Sequence, residues 1–122
     1  MRILILLTVF FSSISALADN VSNYDYYQVW KELPTDKPMG AVFIKKSDPC
    51  IVVFNQSKAT SKRFCKLLPS KLNFETDYPT IYPYKITFDG ISLEFIVAAP
   101  WAEQRCRIDL DREEISCIPT GK

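Results

Sequence analysis

The sequence predicts an α+β domain that is mostly β: an N-terminal helix packed on an antiparallel sheet of about six strands, stabilised by two disulfides. Three observations carry that reading. Short apolar runs alternate with polar residues between turn formers along most of the chain. Asn23 to Leu33 gives the clearest helical spacing, with Tyr26, Val29, Trp30 and Leu33 at i, i+3, i+4 and i+7. The cysteines Cys50, Cys65, Cys106 and Cys117 lie where two local pairs can close.

The stretch that organises the rest is Arg105 to Ile118. Cys106, Ile108 and Leu110 alternate with Arg105, Arg107 and Asp109, and Ile115 and Cys117 continue the apolar set beyond the Asp111-Arg112 corner. Paired around that corner, Ile108 faces Ile115 and Cys106 faces Cys117, within disulfide reach. The same register sets Asp109 against Glu114, a like-charge pair that costs a little on an exposed face.

Met1 to Ala18 reads as a secretory signal peptide. Arg2 forms a minimal positive region, Ile3 to Phe11 an apolar core, and Ala16-Leu17-Ala18 an Ala-x-Ala cleavage site. The apolar run is shorter than the roughly 20 residues of a spanning helix. Cleavage leaves residues 19–122 as one small exported domain, 122 less 18 being 104 residues, enough for one modest core. Loss of Arg2 equalises Lys+Arg and Asp+Glu at 14 each, so overall charge gives no support for nucleic acid binding.

An even cysteine count in a short exported chain implies disulfides, here Cys50–Cys65 with Cys106–Cys117. Each local bridge stabilises by about 2–4 kcal/mol. A four-cysteine zinc site is disfavoured, since the chain has neither a C-x-x-C pair nor a histidine. The leader, followed by Asp19-Asn20, has a bacterial look, which sets the expected location as periplasmic or secreted. Asn20-Val21-Ser22 and Asn55-Gln56-Ser57 are glycosylation sequons that matter only in a eukaryotic host.

In chain order, the helix at Asn23–Leu33 has Ser22 or Asn23 to cap it, Asp25 in its first turn and Pro34 at its end. Tyrosine, valine and tryptophan are also good strand formers. Pro34 to Gly40 is a loop, and Ala41 to Lys45 a first strand. After the corner Ser47-Asp48-Pro49, Cys50 to Phe54 reads as a central strand buried on both faces. Asn55 to Thr60 is a polar connection. Ser61 to Leu68 is either a return arm placing Cys65 opposite Cys50, the preferred reading, or a short helix with Phe64, Leu67 and Leu68 inward. Pro69 to Pro83 is irregular. Tyr84–Phe88 and Ile91–Val97 form a hairpin across Asp89-Gly90. Ala98 to Trp101 turns the chain into the cysteine hairpin, and Pro119 to Lys122 is a tail.

Without histidine, Ser-His-Asp and Cys-His mechanisms are excluded, and three glycines make no phosphate loop. Three features remain. Asp109, Asp111, Glu113 and Glu114 form an acidic corner, readable as a cation site or a carboxylate pair, though it lacks EF-hand spacing. Lys58, Lys62, Arg63 and Lys66 fall in a basic stretch from Lys45 to Lys71 that holds only Asp48 as acid. Such a patch suits docking to an anionic partner. Tyr78, Tyr82 and Tyr84 stud a proline-rich loop that is long for a connector.

The expected function is therefore a non-catalytic binding protein, of the inhibitor or immunity type that blocks a toxin or hydrolase. The alternatives are an accessory part of an envelope or secretion assembly and, less favoured, a carboxylate-only hydrolase. The expected partner is another protein, with an anionic envelope surface as second choice. No cofactor, metal, nucleic acid or retained membrane anchor is expected.

Overall fold

The computed structural model describes residues 21–32 and 34–122. The predicted leader, Met1 to Ala18, lies outside the described residues. The chain forms two four-stranded antiparallel sheets. The first runs in order β1 (Tyr24–Glu32), β2 (Lys37–Lys45), β3 (Asp48–Asn55) and β4 (Thr60–Phe64). The second runs in order β5 (Tyr82–Phe88), β6 (Ser92–Ala98), β7 (Gln104–Asp109) and β8 (Glu114–Pro119). One short helix, α1 (Phe74–Asp77), lies in the segment that joins them.

This corrects the expected architecture twice. The N-terminal helix packed on a six-strand sheet does not form, because Tyr24–Glu32 is a strand along β2. Tyr26 and Trp30, four residues apart, share a face of a strand as readily as of a helix, and both pack on the core. Val29 points to the opposite face with Tyr27, opposite β2 partners Ala41 and Phe43. That outer face is apolar too, with Tyr24, Tyr27 and Phe43 in ring contact. Bulges at Tyr24/Tyr26 and Trp30/Lys31 break the alternation further. Two apolar faces thus add up to a helical spacing.

The single sheet divides because the proline-rich segment after β4 does not join neighbouring strands. It carries the chain from one sheet to the other. Leu67, Phe74 and Ile81 of that segment are buried in one cluster with Val42, Ile51 and Val53 of the first sheet. Leu93, Phe95, Val97, Cys106 and Ile108 of the second sheet complete it. Asn73 caps α1 by accepting from Glu75 N at 2.9 Å, which seats Phe74 with its ring 6.4 Å from that of Phe95.

Local predictions hold better. Both disulfides form as expected: Cys50–Cys65 with Cα atoms 4.8 Å apart, and Cys106–Cys117 with Cα atoms 4.1 Å apart. Ile108 pairs with Ile115, Cys106 with Cys117, and Asp109 with Glu114. The like-charge contact is relieved because Asp109 turns back to accept from the Asp111 and Arg112 amides at 3.0 and 2.9 Å. β4 is the strand arm of the two readings of residues 61–68. β3 is central, yet Phe54 on its outer face is exposed, so that strand is not buried on both sides. The Asp89-Gly90 hairpin forms with a longer loop than expected. Asp89 accepts from the Ile91 and Ser92 amides, which leaves Ile91 exposed at the tip.

Gly40 has a steric duty. It pairs with Trp30 across β1 and β2, and a Cβ there would collide with the Trp30 ring and the Phe54 carbonyl. Gly40→Ala is expected to cost about 1–3 kcal/mol as overpacking. Denaturant unfolding read on tryptophan fluorescence measures it.

Carboxyl groups of four residues lie below their usual range. Asp48 is held down by hydrogen bonds from Arg63, Asp89 by the Ser92 amide, Asp109 by the Arg112 amide and Glu103 by the Thr120 hydroxyl. Each stabilises the fold above its unfolded pKa of about 4, and that contribution is lost as pH falls through the lower folded value. With no histidine to titrate, the thermal midpoint should be flat between about pH 5.5 and 8 and decline below about pH 4. Calorimetry across that range is the check.

Candidate functional site

The basic stretch and the acidic corner meet each other. Lys58 Nζ donates to the Asp111 carbonyl at 2.7 Å, and Lys62 Nζ to the Glu113 carbonyl at 2.6 Å. Thr60 Oγ1 donates to Glu113 Oε1 at 3.2 Å. These bonds fasten β4 and the turn before it to the β7–β8 turn, beside an open depression of about 620 Å³ between β4 and β8. Arg63 is fixed as well, with Nε and Nη2 donating to the two Asp48 carboxylate oxygens at 2.7 and 2.8 Å. Its Nη1 donates to Glu75 Oε2. Lys66 stands exposed beside an isolated bridge to Asn73. Lys62, Arg63 and Lys66 line that depression together, but Glu75 and Glu114 line it too, so the basic side chains are interleaved with acids.

The tyrosines divide. The Tyr84 hydroxyl donates to Glu103 Oε2 at 3.1 Å, while Glu103 Oε1 accepts from Thr120. Hydrogen bonding to that carboxylate pushes the Tyr84 phenol up. Tyr84 thus ties β5 to the C-terminal segment. Tyr78 and Tyr82 are 49% and 50% exposed and line a cleft of about 500 Å³ on the side opposite the β4 seam. The cleft lies where the edge strands of the two sheets come together: Asp25 and Tyr26 come from β1, Pro83 and Ile86 from β5. Ile44 of β2 is buried at its depth. Burial pushes the Tyr26 phenol up, so it is neutral at physiological pH. Asp25 makes no ion pair among the described residues.

Tyr78 also borders a second depression, with Leu72, Ile81 and the β6–β7 turn. That turn is closed by Ala102 N donating to the Ala99 carbonyl at 3.1 Å. Pro100 and Trp101 are its central pair, and Trp101 has φ 62°. Glycine is the usual residue at such a position. Trp101 is 97% exposed, so its ring gains no burial in return for the backbone cost. Sequence reasoning placed the turn but missed Asp25, Tyr26 and Trp101. The legible signal was Pro-Trp at the centre of a turn.

A third cluster, Cys50, Cys65 and Glu75, brings three donor atoms within 4.8 Å of one another. Both sulfurs are in a disulfide, so neither is a thiolate able to ligate a metal. In the acidic corner, Asp109 is committed to turn amides and Glu113 to Thr60.

No family model, curated protein or solved structure matches this chain. The two disulfides point to an oxidising, extracytoplasmic compartment. No described helix is long and apolar enough to cross a membrane.

Trp101→Gly removes a left-handed backbone penalty of about 1–2 kcal/mol against an added chain-entropy cost of about 0.5–1 kcal/mol. The variant is expected to be as stable as the parent or up to about 1.5 kcal/mol more stable, at about 4–8 °C of thermal midpoint per kcal/mol. A clear fall in thermal midpoint would mean that Trp101 packs within its own fold.

Proposed function

We propose that this chain is a non-catalytic, periplasmic or secreted binding protein that docks on another protein through the tyrosine–proline cleft and the adjoining Trp101 turn. Blocking a toxin or hydrolase, in the manner of an inhibitor or immunity protein, is the role such a surface would serve. The observation that carries the reading is Trp101. A tryptophan almost wholly in solvent, at a turn position where glycine is easier, costs the free protein stability and gives it no contact. Large aromatic side chains dominate binding energy when a partner encloses them. Tyr78 lies between the turn and the cleft, so the aromatic surface is continuous.

Recruitment to an envelope assembly through the basic stretch has weaker support, since Lys58, Lys62 and Arg63 are engaged within the fold. Carboxylate hydrolysis is weaker too, since Asp109 and Glu113 are engaged in the turn and the seam.

The test is site-specific photocrosslinking in the native host, with a benzophenone amino acid at 78, at 101 and, as control, at the exposed position 105 on β7. A discrete protein adduct at 78 and 101 that is absent at 105 is expected. No adduct at either position, with the protein folded and exported, overturns the reading.

A further inference from the structure

We propose that the cleft between β1 and β5 is a receptor for an arginine side chain of the protein partner. This rests on the docking reading and adds the chemistry of the contact. The cleft combines three features that suit a guanidinium on an aliphatic stem. Its aromatic members are Tyr26, Tyr78 and Tyr82, and the faces of such rings attract cations. Its prolines are Pro49, Pro79 and Pro83, flat apolar surfaces without a backbone donor to satisfy. Its one carboxylate is Asp25, and no lysine or arginine lines it among the described residues.

Asp25 is where charge complementarity decides the occupant. It is exposed, has no cationic partner among the described residues, and stands beside Tyr26 at the bulge of an edge strand. Asp48 is occupied by Arg63, Asp89 and Asp109 by turn amides, and Glu103 by Thr120 and Tyr84, whereas Asp25 is the one carboxylate among the described residues that line this cleft. An arginine entering the cleft would set its methylenes against the prolines and Ile86. Its planar head would lie against tyrosine and pair with the Asp25 carboxylate. A guanidinium suits this better than an ammonium, because it stacks on ring faces and is more weakly hydrated. An anionic or purely apolar ligand would leave that carboxylate repelled or unpaired. A cleft of about 500 Å³ has room for one long side chain and a stretch of backbone on either side.

The experiment uses the mature protein, isotope-labelled, titrated with amide-capped arginine, lysine, norleucine and glutamate, and with choline. Amide shifts at 25–26 and 78–86 are followed by NMR. Capped arginine should saturate with a dissociation constant of about 1–10 mM, at least about tenfold below that of capped norleucine. The preference should shrink as salt is raised. Asp25→Asn should erase the difference between arginine and norleucine, and Tyr78→Ala should weaken both. Both positions are exposed, and an unchanged thermal midpoint shows that each variant is folded.

Equal binding of arginine and norleucine, no saturation up to about 50 mM, or choline binding as tightly as capped arginine overturns the proposal. Its failure is separable from that of the docking reading. Crosslinked adducts at 78 and 101 without arginine selectivity leave a protein-docking surface of different chemistry. Arginine selectivity without an adduct leaves a cation site and removes the protein partner.

Discussion

The structure depends on a seam. Each sheet is a four-stranded meander, and in each the last two strands are cross-linked, β3 to β4 by Cys50–Cys65 and β7 to β8 by Cys106–Cys117. Those two braced hairpins meet where Lys58 and Lys62 reach the carbonyls of the β7–β8 turn. Charge on exposed side chains is a weak adhesive on its own. Here it fastens two elements that sulfur already holds stiff, so little backbone freedom is left to lose. With β4 linked to the β7–β8 turn there, the first and fifth strands are edges on the other side, and the cleft lies between them. The two sides differ in chemistry: the linked side is lined by charged residues, the other by tyrosines and prolines.

The segment between the two sheets orders one wall of the cleft. Leu67, Phe74 and Ile81 bring the connecting segment into the core and hold Tyr78 at the cleft mouth. A loop anchored by three buried side chains presents Tyr78 in a fixed arrangement, so less ordering entropy would be lost if a ligand bound there.

How much of this was legible follows from the range of the interactions. Pairings within the two cysteine-bearing hairpins were readable to the residue, because alternation and a turn fix register locally, whereas the Asp89-Gly90 hairpin closed with a longer loop. Ile108 opposite Ile115 and Cys50 opposite Cys65 are of this kind. Whether eight strands make one sheet or two is decided by where the Leu67–Ile81 segment leads, and no local period encodes that. β1 was misread because Tyr26 and Trp30 face the core while Val29 and Tyr27 face outward, and both sides are apolar. The charge pattern misled for a related reason. A basic stretch and an acidic corner about 50 residues apart in sequence signalled a partner, yet the fold brings them together. The cleft was half visible: Tyr78 and Tyr82 were marked by the proline-rich run, whereas Asp25 and Tyr26 were assigned to a helix that does not form.

The cleft side also raises a question of solubility. Two neighbouring strand edges flanked by aromatic rings are a hazard, since exposed ladders recruit other chains into fibrils. β5 is built to refuse. Pro83 deletes a donor from the strand, and Lys85, at φ 50°, interrupts the pairing between Tyr84 and Thr87. A visiting strand finds no regular row of amides to zip onto. Along β5, the surface beside the cleft is therefore offered by side chains rather than by a backbone ladder.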